Sequence, residues 1–120
     1  MKTFQTDPLP PPAKLKLVLK GEVGRIWGYM SGIYKLQPKL VNGYVHWIQN
    51  SKSNALWFDK TYFNWRVYRT SDLGESFSAI KGPKYDDNWP QNLCGNWKYS
   101  DNDTCTWLDS GEDVAFEEVK

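Results

Sequence analysis

The sequence predicts an all-β fold: a small, single-domain antiparallel meander of about seven to nine short strands, forming a curled barrel or a compact sandwich. Three observations predict it. Runs rich in β-branched and aromatic residues are cut at short intervals by Gly, Asn, Asp and Ser, the residues that make turns. No segment longer than ten residues carries apolar side chains at helical spacing, so helix content should be low. Within 120 residues, seven Trp, seven Tyr and five Phe supply enough large rings to fill the core of one small β-domain.

Residues 1–13 read as a proline-rich extended arm or linker, because Pro8-Leu9-Pro10-Pro11-Pro12 favours a stiff chain. The β-domain then occupies residues 14–120. Residues 14–20 alternate lysine with Leu15, Leu17 and Leu19, which places the leucines on one face of a strand. Gly32-Ile33-Tyr34-Lys35-Leu36 begins a second strand, and its partner Tyr44-Val45-His46-Trp47-Ile48 follows Val41-Asn42-Gly43. Asn-Gly is the strongest hairpin dipeptide, since both residues tolerate positive φ. Alternation sets Trp47 on the face opposite Tyr44 and His46. The polar stretch 50–54 turns into residues 55–59, where Trp57 falls opposite Leu56 and Phe58. Residues 61–64 turn again into 65–68, and 71–74 ends that arm. Residues 76–80 are a sixth strand. From Gly82 to Gly95 the chain is irregular, and so long a loop in a small domain is functional or pinned by its own aromatics. Trp97-Lys98-Tyr99 and Cys105-Thr106-Trp107 form hairpin arms, in a symmetric register that sets Trp97 against Trp107 and Tyr99 against Cys105. Residues 114–119 close the sheet.

Charge narrows the partners. Fifteen Lys and Arg against fourteen Asp and Glu give a net charge of +1, and the lysines at 14–16 and 35–39 alternate with other residues, as on the wet side of a strand. Phosphate binding needs clustered cations, so no nucleic acid is expected as a partner. No secretion signal and no membrane-spanning window is legible, so no membrane insertion is expected. The compartment stays open: extracellular if the domain belongs to a larger secreted chain, otherwise cytoplasmic. Cys94 and Cys105 are too few for a disulfide scaffold and have no metal-ligand partners. They are the candidate disulfide, and they meet only if the chain folds back at Gly95.

Catalytic and metal chemistry find little support. His46 is the single histidine, without a second His or a Cys at ligand spacing, and reads as structural. Acidic pairs at 86/87, 101/103, 112/113 and 117/118 lie in turn-like stretches, whereas a glycosidase needs two carboxylates fixed across a cleft. Asp101-Asn102-Asp103-Thr104 alternates oxygen ligands but lacks the glycine and closing glutamate of a helix-loop-helix calcium site, and reads as a turn. No cofactor and no metal is expected.

The aromatics remain. Trp27 and Trp89 lie in loop-like sequence and are the candidate exposed platforms, with Tyr29, Tyr85 and Asp87 completing the candidate ligand-binding set and Tyr62 a ring of the same kind. Rings in loops stack on the apolar C–H faces of sugars while Asp, Asn and Arg grip hydroxyls. The competing reading folds Trp89-Pro90 inward to pin the long loop.

The succession Gly32-Ile33-Tyr34, Asn42-Gly43-Tyr44, Leu56-Trp57-Phe58-Asp59, Asn64-Trp65-Arg66-Val67, Trp97-Lys98-Tyr99 and Trp107-Leu108-Asp109 resembles uncharacterised Trp/Gly-rich β-modules of multidomain, mostly extracellular proteins. The resemblance spans about residues 15–119 and implies a non-enzymatic module. The expectation is therefore a ligand-binding module with aromatic platforms and an oligosaccharide ligand. That reading calls for at least two Trp rings in one concavity. A protein-interaction or structural module would show a flat apolar patch or open sheet edge instead. A small hydrolase would show converging carboxylates in a pocket.

Overall fold

The computed structural model describes residues 10–83, 89–93, 97–101 and 106–120. Among them, nine antiparallel strands form one sheet: β1 (Lys14–Leu19), β2 (Gly32–Leu36), β3 (Trp47–Gln49), β4 (Asn54–Asp59), β5 (Asn64–Arg69), β6 (Ile80–Lys81), β7 (Lys98–Ser100), β8 (Trp107–Asp109) and β9 (Val114–Glu118). Strands β1 to β8 follow one another as a meander, and β9 returns to pair with β1. That return dictates the shape. β8 and β9 are opposite edges of the sheet, yet only residues 110–113 join them. Nine flat strands would hold their edges about 38 Å apart at about 4.8 Å per strand. The joining chain reaches about 17 Å at most. The sheet must curl, and it forms a half-barrel in which Trp97 of the β7 side meets Phe116 of β9 at 5.1 Å between ring centroids.

The inner face is built by alternation. Leu15 and Leu17 of β1, Tyr34 of β2, Trp47 of β3, Leu56 and Phe58 of β4, Trp65 and Val67 of β5, and Ile80 of β6 are all buried in one cluster. The mouth of the half-barrel is filled by α1 (Gly21–Trp27), followed by a 3₁₀ turn over Gly28–Met30. This corrects the loop reading of that stretch. Val23, Trp27 and Met30 carry a helical stripe at i, i+4 and i+7, all buried, in an element too short to register as periodic.

Gly24 sits where α1 crosses the end of β1, and a Cβ there would stand 2.8 Å from the Leu19 carbonyl oxygen. Gly→Ala in a helix ordinarily gains about 1 kcal/mol. Here the clash is with backbone held in a sheet, so the sign reverses. Gly24→Ala should lower folding stability by about 1–3 kcal/mol, read by urea unfolding; a gain in stability would show that α1 slides freely over β1.

Five of the seven tryptophans are buried, and four indoles act as stitches between segments. Trp27 Nε1 donates to the Ser100 carbonyl at 2.9 Å, Trp47 Nε1 to Pro12 at 2.8 Å, Trp57 Nε1 to Glu75 at 3.0 Å and Trp97 Nε1 to Leu93 at 2.9 Å. Each satisfies an indole N–H and ties the indole to a segment outside its own element.

Three local expectations need correction. The Asn42-Gly43 turn forms, with φ of 57° and 80° and reciprocal Val41–Tyr44 hydrogen bonds of 2.9 and 3.0 Å. It sits inside a longer connection, however, and β3 starts only at Trp47, because Tyr44 turns away to pack on Phe58 at 4.4 Å. The sixth strand shrinks to Ile80–Lys81, since residues 70–79 loop over the outer face of the sheet to cover Trp57. In the last hairpin the register is Lys98↔Asp109, Tyr99↔Leu108 and Ser100↔Trp107, three residues from the symmetric one, and Trp97 pairs with Ser110 instead. An odd shift moves a side chain to the other face. Trp97 therefore points into the core while Trp107 points outward. No helix among the described residues is long and apolar enough to cross a membrane.

Candidate ligand-binding groove

On the outer face, the partners of the core residues line up in one cross-strand row. Trp57 of β4 stands beside Arg66 of β5, Arg66 beside Lys81 of β6, Lys81 beside Lys98 of β7, and Lys98 beside Asp109 of β8. Asn64 and Arg66 share this face because Trp65 and Val67 take the other. Trp107, two residues before Asp109, joins them. The 60–63 turn adds Tyr62, and the 70–79 loop adds Ser76 and Phe77. Together Tyr62, Asn64, Arg66, Ser76, Phe77, Lys81 and Trp107 line a groove of about 470 Å³.

Beneath the lining, Arg66 belongs to a buried ion pair. Arg66 Nε lies 2.8 Å from Asp59 Oδ2, with the two side chains only 4% and 2% exposed. Arg66 also donates to Ser78 Oγ at 3.2 Å, and the Asp59 carboxylate accepts from the Thr61 amide at 2.9 Å and from Ser76 Oγ at 3.2 Å. Ser76 is thus fixed at the rim by the same carboxylate that neutralises Arg66. Lys98 is paired with Asp109 at 2.6 Å. Lys81, between the two, has no carboxylate partner among the described residues; its ammonium lies 4.1 Å from the Trp107 ring centroid. Burial, with the like charges of Arg66 and Lys98, holds the Lys81 ammonium below its ordinary range. Above the pair, the Arg66 guanidinium is 5.5 Å from the Tyr62 ring. Asn64 is buried, and its amide oxygen has no hydrogen-bond partner among the described residues.

The sequence-predicted ligand set is not assembled here. Trp27 is 7% exposed and belongs to the core, so it is no exposed platform. Tyr29 is 62% exposed but stands over Trp27 at 6.2 Å, outside this groove. Trp89 packs inward at 6.2 Å from both Trp47 and Trp65, as in the competing reading. Tyr85 and Asp87 lie outside the described residues, as do Cys94 and Cys105 and the 102–104 turn. The groove holds one Trp rather than two, with Tyr62 and Phe77 supplying the other rings. Alternation about Trp65 could have set Asn64 and Arg66 on one face, but the sequence reading leaves Asn64 in the 61–64 turn. Trp107 was not, because its face depends on the register. A second groove, about 440 Å³, is lined by Lys35, Gln37, Ile48, Gln49, Asn50, Lys52 and Thr70 and offers no ring.

His46 is separate from both grooves. It is 4% exposed, and its Nδ1 has no hydrogen-bond partner among the described residues. Burial pushes the imidazole below its ordinary pKa, against a smaller opposing effect of a hydrogen bond with the Lys39 backbone. The unfolded chain then binds the proton more readily than the folded one. Stability should be full above the unfolded value of 6.5 and fall as pH drops through the depressed folded value. Urea midpoints between neutral and mildly acidic pH should show this slope, and His46→Gln should flatten it; an unchanged slope would place its origin elsewhere.

No protein-family model, curated protein or solved structure matches the chain, so the chemistry of the groove itself carries the functional reading.

Proposed function

We propose that this domain is a ligand-binding module and that its outer-face groove holds one sugar ring of an oligosaccharide. The observation that carries the reading is the company around Asn64. The Asn64 amide lines the groove together with three rings, Tyr62, Phe77 and Trp107, of which Tyr62 is 59% and Phe77 52% exposed. Single exposed rings are ordinary on a protein surface. Three around one concavity, with an amide and two cations at its floor, match what a sugar needs: apolar platforms for C–H faces and polar groups for hydroxyls.

Titration of intrinsic fluorescence with soluble oligosaccharides tests it. A saturable shift is expected, and Trp107→Ala should weaken binding by about tenfold or more, whereas Tyr29→Ala, outside the groove, should leave it unchanged. A flat response across the panel would remove the reading.

A second reading rests on a different observation. Of the six exposed large hydrophobic residues described, Leu40, Tyr62, Phe63 and Phe77 lie on the 37–46, 60–63 and 70–79 connections. Asn42 Nδ2 ties the first of these connections to the third and to β4, donating to Gly74 O at 3.1 Å and to Phe58 O at 3.5 Å. Exposed apolar side chains on these connections suit a protein partner. Pull-down with and without Phe63→Ser, which lies outside the groove lining, separates this reading from the first.

A further inference from the structure

We infer that the sugar taken by this groove is acidic, carrying a carboxylate or sulfate that meets the Lys81 ammonium. This rests on the binding-module reading above and names its ligand class.

The geometry is that of a charge left over. Three cations stand side by side in the cross-strand row, Arg66, Lys81 and Lys98. Like charges directly opposite one another on a sheet repel. Two of them are neutralised within the fold, Arg66 by the buried Asp59 at 2.8 Å and Lys98 by Asp109 at 2.6 Å. Among the described residues, no carboxylate neutralises the middle one. Lys81 is partly buried, and its only described partner is the Trp107 ring at 4.1 Å. The groove lining carries Arg66 and Lys81 and, among the described residues, no carboxylate. A cation–π contact offsets part of the lost hydration but does not cancel a unit charge.

An anion entering beside Trp107 would relieve the repulsion along the whole row. A free anion would leave Tyr62 and Phe77 without a role. A neutral sugar would leave Lys81 uncompensated. An acidic sugar ring meets both demands: the charged substituent pairs with Lys81, and the C–H face lies against the rings. The flanking Lys98–Asp109 pair is exposed, with side chains 45% and 85% accessible, so it contributes little of its own.

The test compares four probes at low salt by calorimetry: neutral oligosaccharides, oligouronates of equal length, the neutral series bearing sulfate, and polyglutamate. Oligouronates or sulfated oligomers should bind about tenfold or more tighter than the neutral series, with the preference shrinking as salt rises. The stronger of the two identifies the anionic group. Lys81→Gln should abolish the preference, and Lys81→Arg, which keeps the charge, should retain it. Equal affinity for neutral and acidic oligomers would overturn the inference and leave the binding-module reading standing. Polyglutamate binding as tightly as oligouronate would overturn it too, because charge alone would then be read. No binding of any sugar would overturn both.

Discussion

Replacing Arg66 with methionine should cost about 3–5 kcal/mol of folding stability, the price of stranding a buried carboxylate. The Asp59 side chain is 2% exposed and would lose the guanidinium 2.8 Å away, keeping only the Thr61 amide and the Ser76 hydroxyl. Neither carries a full charge. In a domain of this size such a loss lowers the melting temperature by about 10 °C or more. The pair itself is worth much less than its rupture suggests, since two apolar residues of similar volume often serve as well. Asp59→Leu combined with Arg66→Met should therefore be more stable than Arg66→Met alone. Urea denaturation with an unchanged m-value measures both. A cost under about 1 kcal/mol for the single variant would mean that water reaches Asp59 and that the pair behaves as a surface one. The groove floor is thus part of the fold before it is part of any site, and its two faces cannot be altered independently.

How far this architecture was legible in the chain follows from the range of each signal. Alternation is local, so the faces of Leu15 and Leu17 and of Trp57 against Leu56 and Phe58 could be read directly. The meander was legible because each turn joins neighbours. Closure was not: the Leu17↔Phe116 pairing of β1 with β9 joins residues nearly a hundred apart, with no local signature. Trp27 was read as exposed because a seven-residue helix offers a single stripe of Val23, Trp27 and Met30, which resembles loop composition. Trp107 depended on a register set by long-range packing of Trp97 against Phe116 and by its indole bond to Leu93. A three-residue slip separated Trp107 from the face of Trp97 and placed it in the groove. The candidate site was least legible, since Tyr62, Ser76 and Phe77 come from turns and loops. Their meeting point is decided by what the loops cover.

What the 70–79 loop covers is Trp57, and this gives the second large effect. Trp57 is fully buried, yet it lies on the outer face, outside the main core cluster, beneath that loop. Trp57→Ala should cost about 3–5 kcal/mol, as for other large aromatic truncations, and would remove the loop's support altogether. Trp57→Phe is the sharper experiment. It keeps most of the volume and deletes the N–H that donates to the Glu75 carbonyl at 3.0 Å, at a cost of about 1–3 kcal/mol for the stranded acceptor. Glu75 is followed directly by Ser76 and Phe77, both groove residues. Loosening there should speed amide exchange across residues 73–77 while leaving β4 and β5 protected. It should also weaken oligosaccharide binding, since Phe77 would no longer be held in place before the ligand arrives. Trp47→Phe is the matched control. It removes an equivalent indole bond, to the Pro12 carbonyl on the inner face, at similar cost to stability. Equal losses of affinity in both variants would mean that binding follows global stability; a loss confined to Trp57→Phe would assign it to the loop that Trp57 holds.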